Sequence, residues 1–100
     1  MSSSEVILRA TLEVFADEYR VTDADLGPHG EDLDARVLAA VVAYETGADP
    51  EAVATQFGVA EWVTETLANG SRNTPPDPLK RVVELSKMVA VRVESRSRGA

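Results

Sequence analysis

The chain has 100 residues, no cysteine, an apolar share of 44% and a formal net charge of −7. That size is one domain with a modest core. The absence of cysteine excludes disulfides, thiolate metal sites and thiol nucleophiles, and no apolar run approaches the roughly 18 residues of a membrane span. The start, Met1-Ser2-Ser3-Ser4-Glu5, carries neither a basic leader nor a hydrophobic signal core, so the chain reads as cytoplasmic with no membrane partner. The charge is uneven: residues 1–70 sum to −11 and residues 71–100 to +4. An acidic body repels nucleic acid at long range, whereas a basic tail attracts phosphate or an acidic partner.

Ser2-x-x-Glu5 matches a capping box, and Leu8, Leu12, Phe15 and Tyr19 then recur at helical spacing. A helix of about four turns is predicted, ending near Arg20. Val21 to Asp34 reads as a connector punctuated by Gly27-Pro28 and Gly30. Its carboxylates invite comparison with a calcium loop. Counted from Asp23, however, the sharp-turn position is Pro28 and the bidentate position is Asp34 rather than Glu, so no metal is assigned. Helix capping accounts for acids in such a place. His29 is the only histidine, and no nucleophile elbow, phosphate-cradling loop or histidine cluster occurs. The sequence therefore predicts a non-enzyme with no cofactor and no small-molecule substrate.

A second helix is predicted over Leu33 to Thr46, with a stripe of Leu33, Val37, Val41 and Tyr44 and a stop at Gly47. Asp49-Pro50 is a cap followed by proline at the first helical position. Val53, Ala54 and Phe57 face inward in the short helix that follows, and Gly58 ends it. A further short helix is then read with Val59, Trp62, Val63, Thr66 and Leu67 inward and Glu61, Thr64, Glu65 and Ala68 outward, stopped by Asn69-Gly70.

Ser71 to Pro78 reads as a proline-stiffened loop. Leu79 to about Glu94 fits a helix, although Val89, Val91 and Val93 also alternate as a strand does. On a helix, Leu85, Met88 and Val91 form a surplus apolar face that suggests a homodimer interface. Ser95 to Ala100 is expected to be a disordered tail. The fold class is thus all-α, one domain over residues 1–94 built as a bundle of about five helices.

Ala54-x-x-x-Gly58-Val59, followed by apolar Val63 and Leu67, resembles the helix-turn-helix of prokaryotic DNA-binding regulators over about residues 49–70. In that family the glycine permits the turn and the second helix reads a groove. The apolar position that the family places six residues after the glycine is here Thr64, and the outward face carries Glu61 and Glu65. The resemblance implies a small dimeric DNA-binding transcriptional regulator. Thr64 and Asn69 would supply polar contacts, and Arg72, Lys80, Arg81, Lys87 and Arg92, with Arg96 and Arg98, the phosphate contacts. The acidic body and the surplus face of the last helix support an alternative: a non-catalytic protein-protein interaction module, such as an adaptor, antirepressor or assembly factor.

Overall fold

The computed structural model describes residues 3–65 and 76–99, with side chains described over 3–65 and 81–96. Within them the chain is all-helical, as its periodicity predicts. The elements are α1 (Ser3–Tyr19), α2 (Leu33–Thr46), α3 (Pro50–Phe57), a helical segment over 61–65 that we call α4, and α5 (Pro76–Gly99). The alternation of Val89, Val91 and Val93 does not make a strand; Val89 is fully buried on the inner side of a helix and Val91 is exposed on its outer side.

Local chemistry sets the helix ends. Asp32 caps α2, its carboxylate accepting from the Ala35 N–H at 3.0 Å. Gly47 closes the helix in the left-handed conformation (φ 115°), with the Ala48 N–H reaching back to the Ala43 carbonyl at 3.0 Å. The same device is used again in α3. Asp49 accepts from Ala52 N–H, Pro50 fills the first turn, and Gly58 (φ 65°) ends the helix while Val59 N–H reaches the Ala54 carbonyl. Ser4 Oγ accepts from the Asp49 N–H at 2.9 Å and so ties the start of α1 to the start of α3. α1 stops at Tyr19, with Arg20 left-handed (φ 56°). Ser2, half of the expected capping box, lies outside the described residues.

Two expectations about α5 are corrected. Pro76 and Pro78 stand inside the helix rather than in the loop, because a first helical turn needs no amide hydrogen. The helix also continues past Glu94 to Gly99 instead of giving way to a disordered tail at Ser95, and Arg96 is ion-paired with Glu13 of α1. At about 1.5 Å per residue, the 24 residues of α5 match the 37 Å long axis of the molecule. α5 lies across both α1 and α2, and α2 packs in turn on α1 and α3.

The core is a single cluster. Phe15 and Val14 from α1, Val42 from α2, Val53 and Phe57 from α3 and Val89 from α5 are fully buried within it. Leu26 joins them from the connector, which is therefore a packed element of the fold. Leu33, counted in the stripe of α2, is 57% exposed because it opens the helix beyond the edge of the core. No helix among the described residues is long and apolar enough to cross a membrane.

Candidate functional site

The unit formed by α3, its turn and α4 is held by one side chain that the sequence does not single out. Arg36, a turn into α2, donates from Nε to the Phe57 carbonyl at 2.9 Å and from Nη2 to the Gly58 carbonyl at 2.8 Å. Its Nη1 donates to the Gly30 carbonyl of the connector at 3.0 Å. A guanidinium satisfies in this way carbonyls that the end of α3 leaves unpaired, and its charge suits the negative end of that helix. The turn is also close-packed: a Cβ at Gly58 would stand 2.6 Å from Pro28 Cα. Gly58 is thus required both for its positive φ and for the approach of the connector.

α4 is rotated from its expected phase. Thr64, assigned outward as a DNA contact, is 1% exposed, and its hydroxyl has no hydrogen-bond partner among the described residues. Trp62, assigned inward, is 68% exposed. The error has a definite origin. Val59 is buried as the residue after the α3 cap and belongs to the turn, so it does not set the phase of the next helix. Ala60 precedes α4 and its carbonyl accepts from Val63 and Thr64, and Thr64 takes the buried position six residues after Gly58. Glu61, Trp62 and Glu65 then share the solvent side. Asn69 and Arg72, the other contacts expected near this helix, lie outside the described residues, as does the side chain of Lys80.

The basic residues of α5 meet α1. Arg92 pairs with Glu13 at 3.4 Å and with Asp17, and Arg96 pairs with Glu13. Arg81 bonds the Tyr19 hydroxyl and stands 5.6 Å from the centre of its ring, and the phenol beside it raises the guanidinium above its ordinary value. Three cations read as phosphate contacts are therefore engaged by aromatic and acidic groups of the same chain. Lys87 is exposed.

The expected dimer face divides. Leu85 is 4% exposed and belongs to the core of this chain, because α5 turns it toward α1 and α2. Met88 and Val91 are exposed (40% and 65%) and line a shallow groove of about 330 Å³ with Val14, Asp17, Glu18 and Arg92.

Asp23 and Asp25 of the connector have structural partners. Asp25 Oδ2 accepts from the Thr22 amide at 2.8 Å and from its hydroxyl at 3.0 Å, which lowers the Asp25 carboxyl from its ordinary value; Asp23 faces Arg9. Among the described residues no three His, Asp or Glu side chains gather as a metal-holding group. A hollow of about 510 Å³ beside α3 is lined by Pro28, Asp49, Glu51, Ala52, Thr55 and Gln56, with no basic side chain among the described residues.

Sequence reasoning missed Arg36 and Leu26. An apolar residue among aspartates was a signal for Leu26. Arg36 offered none, since its partners at the turn lie 21 and 22 residues away. Comparison with protein-family models, with characterised proteins and with solved structures gives no match.

Proposed function

We propose that this chain is a non-catalytic protein-interaction module that offers α4 to a partner and pairs with a second copy through Met88 and Val91 of α5. The observation that carries this reading is the disposition of charge. Arg81, Arg92 and Arg96 are engaged by α1. Arg36 is engaged by three carbonyls. The exposed side of α4 carries Glu61, Trp62 and Glu65. A buried aromatic anchor is the commonest strong contact of a protein interface, and an exposed tryptophan is the side chain best suited to become one.

DNA binding is the second reading, and the turn favours it. Gly58 is left-handed, Val59 is buried behind it, and Thr64 fills the position at which a helix-turn-helix seats its second helix. In such a regulator α4 would enter the major groove among phosphates. The two carboxylates on its outer side oppose that, and the hydroxyl of Thr64 is too deep to reach a base.

A titration with duplex DNA at low and at physiological salt separates the readings. The interaction module is expected to show no affinity at either. Saturable binding that weakens with salt would overturn it in favour of the regulator.

A further inference from the structure

The inference concerns the chemistry of the partner and rests on the interaction-module reading. α1 presents an aromatic ring and two carboxylates, Tyr19, Glu13 and Asp17, and arginines of α5 occupy all three. α4 presents the same kind of acceptor set in Glu61, Trp62 and Glu65. Within a helix, Glu65 neighbours both Trp62, three residues before it, and Glu61, four before it, so the three form one patch. Among the described residues that patch has no cation of its own, and neither Glu61 nor Glu65 has a basic partner. Arg36, the arginine described at the turn, is spent on carbonyls, and Arg9 faces Asp23.

We propose that the Glu61–Trp62–Glu65 face of α4 receives an arginine or lysine side chain from a basic segment of a partner protein. The cation lies over the indole, the strongest of the aromatic faces for this contact, and the carboxylates hold it from the side. An uncharged apolar partner would strip water from two carboxylates without replacing it. A nucleic acid would bring phosphates against them. The −11 charge of residues 1–70 draws a basic segment in from a distance.

The chain holds a single tryptophan, so its emission reports on this face directly. Titration with an oligoarginine peptide at low salt is expected to change Trp62 emission to saturation. Glu61→Gln/Glu65→Gln is expected to weaken binding about tenfold, the equivalent of ~1.4 kcal/mol. Trp62→Ala, followed with a labelled peptide, is expected to weaken it by a similar factor. Glu31→Gln/Glu51→Gln changes the net charge equally, on exposed residues elsewhere, and is expected to leave binding unaltered. Absence of saturable binding, equal weakening by both glutamine pairs, or equal binding of an uncharged apolar peptide would each overturn the proposal. So would a Trp62 shift with protein concentration alone, which would give the face to a second copy. Duplex DNA in the same assay keeps the two readings apart. If neither DNA nor oligoarginine binds, only the cation inference falls. If DNA alone binds, the interaction-module reading falls with it.

Discussion

Thr64 places a methyl group where the fold asks for an apolar side chain and carries with it a buried hydroxyl that has no partner among the described residues. Replacing such a group by its hydrocarbon counterpart removes a desolvation cost. Thr64→Val is expected to raise stability by about 1 kcal/mol, read from the midpoint of urea unfolding. A loss of stability would mean that the hydroxyl is bonded after all. Asp25 makes a different kind of statement. The Thr22 backbone amide first, and the Thr22 hydroxyl second, hold its carboxyl below the ordinary 3.8. A carboxyl lowered by folding contributes stability above its ordinary value, and that contribution is lost as the pH falls through the lowered one. A carboxyl-carbon NMR titration of Asp25 is expected to give a midpoint below 3.8, and Thr22→Ala to move it part of the way back.

Among the elements, Arg36 connects three: α2 that carries it, the end of α3, and the connector. Arg36→Ala leaves the carbonyls of Phe57 and Gly58 without that donor and is expected to cost roughly 2–3 kcal/mol in denaturant unfolding. Arg36→Lys is expected to recover only part of it, because an ammonium lacks the fork that spans three acceptors. The α1–α5 contact is a different case. Glu13 serves both Arg92 and Arg96, and its side chain and that of Arg92 are about a third exposed. Glu13→Gln is expected to cost about 0.5–1 kcal/mol, and the difference to shrink at high salt. Several element ends were legible beforehand, as at Gly47, Asp49 and Gly58, because a cap is an agreement among residues a few positions apart. The face that α4 turns to solvent was not. Where a helix follows a buried turn residue its phase is set by what lies beneath, and Val59 answers to α3.

For the whole molecule the open surface is α5. Its inner side, Val82, Leu85 and Val89, is taken up by the core, whereas Val83, Met88 and Val91 remain outside. Sedimentation is expected to show association that rises with concentration, and Met88→Glu/Val91→Glu to leave a monomer with unchanged helix content. A wild-type chain that stays monomeric throughout would exclude the second copy. The surplus apolar face of α5 was legible from helical spacing, but its division was not, because which third of a long helix is covered depends on where two other helices cross it.

Sequence alone determined the all-α class, the central helices, and the stop-and-start chemistry at the Asp-Pro and glycine positions, since each is decided within about a turn of chain. Tertiary structure decided that Trp62 faces outward and Thr64 inward, that Arg36 closes the turn, and that the arginines of α5 answer the acids of α1. The pairing of Arg92 with Asp17 joins residues 75 positions apart. A charged side chain carries no local sign of whether it will meet solvent, a carbonyl or an opposite charge from another helix, and packing is what makes that choice.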